Sequence, residues 1–229
     1  DMRYQNGQWQ YASLLGWKDC GDSWFGNAAG IQKINALKIA VNDFIDSASE
    51  KEGDNRIAIV TYASNSTISN QLTSVPDDAN ELKDTINGLR ASGATAADNG
   101  MQNAQTIINS ISPDRDSNKV VIMFTDGEPN HQNGFDFNVA NDTISASKSM
   151  KDKGTTVYTI GVVEGADPTN YTSNINKYLH HVSSNYPNAE SMDRSGNLNP
   201  NADPFHGGKS YYLSADNLQS LSDIFQSIS

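Results

Sequence analysis

The chain has 229 residues and a formal net charge of −11, because 16 Lys and Arg face 27 Asp and Glu. This length suits one α/β domain or two small ones, and the acidic balance disfavours binding to nucleic acids and to anionic lipid head groups. The apolar runs are too short to span a bilayer. The single cysteine, Cys20, excludes an internal disulfide and a cysteine-based zinc cluster.

The amino-acid composition does not decide the cellular location of the protein. A near absence of cysteine suits a cytosolic protein and a Gram-positive surface protein equally well. The sequence shows no secretory signal, and we expect it to be either a mature piece or an excised part of a longer protein.

Residues 1–30 differ from the rest of the chain. They hold all three tryptophans among glycines and polar residues, with no helical period. We predict an irregular, aromatic-rich insertion or loop with a short strand around Trp9–Leu15, followed by an α/β domain over residues 31–229.

The first regular element of this domain is a helix. Its apolar residues Ile34, Leu37, Val41, Phe44 and Ile45 recur at the spacing of one buried helical face. Further helical patterns are predicted around Leu82–Leu89, Met101–Ile111, Val139–Met150, Ile175–Val182 and Leu218–Ile228.

Short runs rich in β-branched residues alternate with these helices. Such runs are typical of buried strands. The predicted strands are Arg56–Ala63, Ile68–Leu72, Lys119–Thr125, Thr156–Val163 and Tyr211–Leu213, and residues 185–208 are predicted to form a long loop. The alternation predicts a doubly wound, mostly parallel sheet flanked by helices.

Two polar segments lie where such a sheet collects ligands, at the carboxyl ends of its strands. Asp126 directly follows the strand that ends at Thr125, and Thr95 lies in a small-residue loop before a helix. A carboxylate and a hydroxyl are suitable ligands for a hard divalent cation. Taken singly, Asp126 could only begin a turn and Thr95 could only cap a helix.

The sequence offers no catalytic machinery of a known kind. It has no G-x-G-x-x-G fingerprint after a strand and no G-x-S-x-G nucleophile elbow. The four histidines are expected to be solvated or capping side chains, and the adjacent pair His180 and His181 points in different directions on a helix. We therefore predict a binding protein rather than an enzyme.

The ordered set of these segments resembles the von Willebrand factor A domain, in the form found in Gram-positive surface and pilus-tip adhesins. The resemblance covers about residues 31–229. The residues that carry it are Lys33–Lys38 (KINALK), Arg56–Tyr62 (RIAIVTY), Gly93–Thr95 (GAT), Phe124–Gly127 (FTDG) and Tyr211–Asp216 (YYLSAD).

The resemblance implies a metal ion-dependent adhesion site. In this family a D-x-S-x-S loop, a threonine and an aspartate hold Mg²⁺, Mn²⁺ or sometimes Ca²⁺, and a carboxylate of the partner completes the coordination. Thr95 matches the threonine and Asp126 the aspartate, and Gly127, Glu128 and Asn130 are expected to form the ligand-binding rim.

The chain departs from the family pattern at one point. No D-x-S-x-S sequence occurs in it, nor does the strand that should precede that loop. This strand is central in the family's sheet, and each buried peptide group left unpaired costs about 1–3 kcal/mol. Either another segment or chain supplies the strand and loop, which we favour, or part of residues 8–17 takes its place. Without the loop, metal affinity is expected to be weak or absent.

The leading hypothesis is therefore a metal-dependent adhesion module on a bacterial cell surface or cell wall. Its expected partners are a host or matrix protein, or other pilus subunits, with no nucleic acid and no insertion into a membrane. The alternatives are a metal-free structural domain that acts as a stalk or assembly part, and an accessory subunit of an ATPase.

Overall fold

The computed structural model describes residues 2–5, 8–13, 16–19, 32–75, 77–112, 117–193, 210–216 and 218–228. Three short strands come first, β1 (Met2–Gln5), β2 (Gln8–Ser13) and β3 (Gly16–Asp19). They form a separate antiparallel sheet in the order β1-β2-β3. Within these three segments the chain forms strands, and β2 overlaps the strand expected around Trp9–Leu15. The rest of the predicted insertion, including residues 20–30, lies outside the described residues.

The remaining elements alternate as the sequence predicts. The helices are α1 (Lys33–Glu50), α2 (Ala79–Gly88), α3 (Ala97–Ser110), α4 (Phe137–Lys151), α5 (Asn174–Val182) and α6 (Leu218–Ile228). The strands are β4 (Asn55–Tyr62), β5 (Ser66–Val75), β6 (Val120–Thr125), β7 (Thr156–Gly161) and β8 (Tyr212–Ser214). Most of the predicted 185–208 loop lies outside the described residues, which end at 193 and resume at 210.

These five strands form two sheets in the described part of the chain. β4 and β5 pair as an antiparallel hairpin, whereas β6, β7 and β8 form a parallel sheet in that order. Parallel pairing requires helical crossovers, which α4 and α5 provide between β6, β7 and β8. The predicted α/β fold class is confirmed.

Helices cover both faces of the parallel sheet. On one face Met123 and Val157 pack with α3, α4 and α5. On the other face Ile122, Phe124 and Ile160 pack with α1 and α6. Alternating strand residues therefore reach two different cores, which is why β6 is apolar almost throughout and β7 is buried almost throughout. None of the described helices is long and apolar enough to cross a membrane.

Capping side chains set the limits of two helices. Asp136 accepts a hydrogen bond from the backbone N–H of Asn138 at the start of α4, and Ser173 accepts one from Asn176 at the start of α5. Each bond satisfies a backbone donor that has no partner inside the helix.

The two histidines of α5 are buried, so of the two roles expected for them, solvated or capping, the solvated one is wrong. His180 is 2% exposed and His181 is fully buried. One ring nitrogen of His180 lies 3.0 Å from the Pro168 carbonyl oxygen and the other 3.0 Å from the Asn185 amide nitrogen. Burial lowers the pKa of His180 to about 4, which keeps the ring neutral inside the core.

Candidate metal centre

Asp126 lies at the carboxyl end of β6, on a turn held by the preceding residue. Thr125 is buried, and its hydroxyl donates a hydrogen bond to the Gly127 carbonyl oxygen at 2.9 Å. This bond turns the chain sharply as it leaves the sheet. Asp126 is left exposed at the edge of the sheet, where its carboxylate can bind a cation.

The loop that carries Thr95 is fixed to the carboxyl end of β4. The Ala96 N–H donates to the Ala63 carbonyl oxygen at 2.7 Å, and the Ala94 N–H donates to the Ser64 hydroxyl at 3.0 Å. Gly93 has a φ of +88°, and a Cβ there would lie 2.6 Å from the Ser64 hydroxyl. Only glycine suits both constraints, so Gly93 allows the loop to approach β4 closely.

The Thr95 loop and the Asp126 loop contact each other directly. Thr95 and Asn130 form a two-way backbone bridge, with N···O distances of 3.1 and 2.9 Å. A Cβ built on Gly127 would lie 2.7 Å from the Thr95 hydroxyl oxygen. The structure therefore brings Thr95 to the residue that follows Asp126, at one edge of the fold.

The three expected rim residues follow Asp126 on the same loop. Gly127 and Glu128 are half-buried, and the Asn130 side-chain amide donates to the Glu128 carbonyl oxygen at 2.7 Å. The expected rim is thus a hydrogen-bonded turn that directly follows Asp126. Their contact with a ligand stays a prediction.

Sequence reasoning missed one contact of this loop. A ring nitrogen of the half-exposed His131 lies 3.0 Å from a carboxylate oxygen of Asp98, which is buried in the first turn of α3. The contact ties the Asp126 loop to the helix that follows Thr95. The position of Asp98 in the first turn of a predicted helix was visible, but its histidine partner lies 33 residues away.

The donors present suit a hard cation in type but not in number. Asp126 and Thr95 offer one carboxylate and one hydroxyl, whereas Mg²⁺ prefers six oxygen ligands in an octahedron. Among the described residues no group of three or more His, Cys, Asp or Glu could hold a metal ion. These two side chains would anchor a cation, and water or further protein ligands would have to complete it.

An open pocket of about 420 Å³ lies beside Asp126. Its wall is formed by the first turns of α1 and by residues 87–91, which include the last two residues of α2. Three cationic side chains, those of Lys33, Lys38 and Arg90, line it together with Asp126. In a chain of net charge −11, this pocket is a local basic site that favours an acidic group.

The fold is similar to several solved structures of low sequence identity. Proximal thread matrix protein 1 from the mussel byssus, with a zinc-occupied MIDAS motif, has a TM-score of 0.56 and 20% identity over 88% of this chain and 41% of its own. The PilB minor pilin from Streptococcus sanguinis has a TM-score of 0.60 and 15% identity over 88% of this chain and 54% of its own. The chain thus spans about half or less of these two proteins.

A third similar structure is a single domain. The vWF domain of the type V pili tip protein Mfa5 from Porphyromonas gingivalis has a TM-score of 0.54 and 14% identity, over 85% of this chain and 86% of that one. No curated protein sequence matches the chain. The family model for the von Willebrand factor type A domain matches residues 27–196. The chain therefore belongs to the von Willebrand factor type A domain family.

Proposed function

We propose that this domain is a non-enzymatic adhesion module of a bacterial surface protein. A divalent cation, Mg²⁺ first, would be held by Asp126 and Thr95 and would bind a carboxylate of a protein partner. The observation that carries this proposal is the backbone bridge between Thr95 and Asn130, because it holds a hydroxyl-bearing loop against an acid-bearing loop at one edge.

Three further facts support the proposal. The Asp126 carboxylate is exposed, so a cation bound there stays accessible to a partner. One structure of similar fold is described as having zinc in its MIDAS motif. Two others are a minor pilin and a pilus tip domain, which favours a cell-surface location and protein partners such as pilus subunits or host proteins.

The metal site can be tested with Mn²⁺ as a paramagnetic probe. We expect titration of residues 1–229 to broaden the backbone amide resonances of Gly127, Asn130 and Thr95 first. Because only two protein ligands are on hand, binding should be weak, in the millimolar range. Asp126→Asn and Thr95→Ala should each abolish this local broadening, and excess chelator should reverse it.

Asp84→Asn is the matched control, since it removes an exposed carboxylate from α2. It should leave the broadening at Gly127 unchanged. Broadening that spreads over many carboxylates, or that survives Asp126→Asn, would contradict the proposed site. Addition of acetate as a minimal partner carboxylate should then shift the Gly127 and Asn130 resonances only when Mg²⁺ is present.

A metal-free role as an assembly part is the second candidate. The observation that favours it is the small ligand set, one carboxylate and one hydroxyl within the described residues. The two functions predict different Mn²⁺ results for a longer native polypeptide that carries more of the protein. If Mn²⁺ fails to broaden the Gly127 resonance there as well, the assembly role replaces the adhesion role.

A further inference from the structure

An exposed loop connects the turn after β6 to α4, and both of its ends are held by contacts. At one end a ring nitrogen of His131 lies 3.0 Å from a carboxylate oxygen of Asp98. At the other end the Asp136 N–H donates a hydrogen bond to the Pro129 carbonyl oxygen at 2.8 Å. Residues 131–134 are all exposed, so the middle of the loop is open to water.

This exposed part contains an Asn-Gly pair, Asn133 and Gly134. Gly134 has a φ of +70°, and nothing lies within 4 Å of a Cβ built on it. The left-handed backbone accounts for the glycine, and the open surroundings leave room for the two residues to react. Among the described residues, neither the Asn133 side chain nor the Gly134 N–H has a hydrogen-bond partner.

An unrestrained Asn-Gly pair reacts without an enzyme. The Gly134 nitrogen attacks the side-chain carbonyl carbon of Asn133, and the new N–C bond closes a five-membered succinimide ring. The side-chain amide leaves as ammonia and carries away the proton of the Gly134 N–H. Water then opens the ring at either carbonyl, which yields aspartate or isoaspartate. Glycine favours the attack because it has no side chain to hinder it and adopts many backbone conformations.

A second Asn-Gly pair, Asn99 and Gly100, is restrained inside α3. The Gly100 N–H donates to the Ala96 carbonyl oxygen at 3.2 Å, so the nitrogen that would attack is already engaged. A Cβ built on Gly100 would lie 2.8 Å from the ring of Tyr62. This close packing leaves no room for the backbone to rearrange into a succinimide.

A third pair, Asn87 and Gly88, lies at the end of α2. The side-chain oxygen of Asn87 accepts a hydrogen bond from Asn42 at 2.9 Å, and its backbone carbonyl oxygen accepts one from Lys38 at 2.9 Å. Local opening of the helix must precede attack in both helical pairs. Loss of one backbone hydrogen bond alone makes the reaction about tenfold slower.

We propose that Asn133 is a self-modification site, at which the folded domain converts an asparagine into aspartate or isoaspartate while the two helical pairs stay intact. The conversion adds one negative charge to a chain of net charge −11. The new carboxylate lies on the loop that already carries Asp126 and Glu128. This inference goes beyond the proposed adhesion function and does not depend on a metal ion.

Hydroxylamine tests the site directly, because it cleaves the chain at Asn-Gly pairs that form a succinimide. Residues 1–229 are treated in native buffer and, in parallel, after unfolding in guanidinium chloride, and the fragments are identified by mass spectrometry. We expect cleavage after Asn133 at similar rates in both states. Cleavage after Asn87 and Asn99 should be at least about tenfold slower in the native protein than in the unfolded chain.

The two helical pairs are thus built-in controls for the reagent. Native cleavage after Asn133 that is as slow as cleavage after Asn87 or Asn99 overturns the proposal. Native cleavage that is equally fast at all three sites overturns it too, because the fold would then select none of them. A fourth Asn-Gly pair, at residues 6 and 7, lies outside the described residues, and its fragments differ in size from all of these.

Storage at neutral pH without any reagent gives an independent readout. An isoaspartyl methyltransferase should label the peptide that contains residue 133, and the label should increase with time. Asn133→Gln keeps the amide but would need a six-membered ring, so it should abolish the label in that peptide. Asn138→Gln, at an exposed asparagine followed by valine, should leave the label unchanged. Label that persists in the Asn133→Gln peptide contradicts the proposal.

Discussion

The contact between Gly127 and Thr95 can be measured as a coupling energy. Gly127→Ala adds a methyl group whose carbon would lie 2.7 Å from the Thr95 hydroxyl oxygen. The backbone of Gly127 is outside the left-handed region, so alanine meets no backbone strain. The effect of the substitution on stability therefore reports on the distance between the two loops.

The magnitude follows from two opposing effects. Overpacking of this kind costs about 1–3 kcal/mol, whereas replacing a glycine by alanine gains about 0.4–1 kcal/mol by restricting the unfolded chain. We expect Gly127→Ala to destabilise the domain by about 1 kcal/mol. In a Thr95→Ala background the hydroxyl is gone and the next Thr95 atom, Cβ, is 3.8 Å away, so the same substitution should stabilise by about 0.5 kcal/mol.

Urea unfolding of the four proteins of this double-mutant cycle is the assay, with stability taken from the midpoint and a common slope. The two effects give a coupling of about 1.5 kcal/mol. If the two substitutions are additive within about 0.3 kcal/mol, Thr95 does not lie against Gly127, and the proposed metal centre loses its geometric basis.

Three further outcomes follow from buried contacts. Lys151→Met removes an ammonium whose nitrogen lies 2.8–3.3 Å from four backbone carbonyl oxygens around the end of α5 and shares its three protons among them. At pH 6, below the pKa of Lys151 of about 7, urea unfolding should show a loss of about 3 kcal/mol. The exposed Lys153→Met should lose less than about 0.5 kcal/mol. Burial lowers the pKa of His180 from 6.5 to about 4, so the unfolded chain binds more protons between these values and stability should fall by about 3 kcal/mol from pH 6.5 to 4; His180→Gln should flatten that pH profile. Gly100→Ala adds a Cβ that would lie 2.8 Å from the ring of Tyr62 on β4, so it should lower the midpoint of thermal unfolding. Gly88→Ala adds a Cβ in open space near the end of α2, so it should raise that midpoint.

The order of helices and strands could be predicted because hydrophobic period is a local property. The helix predicted from Ile34 to Ile45 is α1, and the run ending at Thr125 is β6. The edge strand β5 extends over Ser66–Val75 rather than the predicted Ile68–Leu72, because its added residues are Ser and Thr apart from Val75 and carry no alternating apolar pattern. Pairing with β4 defines them instead.

The neighbours of the site could be predicted only in part. The sequence places Asp126 after a strand and Thr95 before a helix, and the fold class then puts both loops at one edge. It gives no sign that Ser64 supports the Thr95 loop or that His131 reaches Asp98. Such contacts join loops far apart in sequence.

The burial of the α5 histidines was missed for a related reason. A polar side chain is buried where partners satisfy it, and for His180 those partners are the carbonyl of Pro168 and the amide of Asn185. Neither partner has a fixed spacing from His180 that a periodic pattern would reveal. Polar burial is therefore harder to predict than apolar burial.

The candidate metal ligands are held at the ends of strands that belong to two different sheets. Thr95 is fixed to the end of β4 through Ala96 and Ala63, whereas Asp126 extends from the end of β6. A cation held by both side chains would join the two sheets. If contact between the two loops raises the affinity for Mg²⁺ by some factor, linkage requires Mg²⁺ to favour that contact by the same factor.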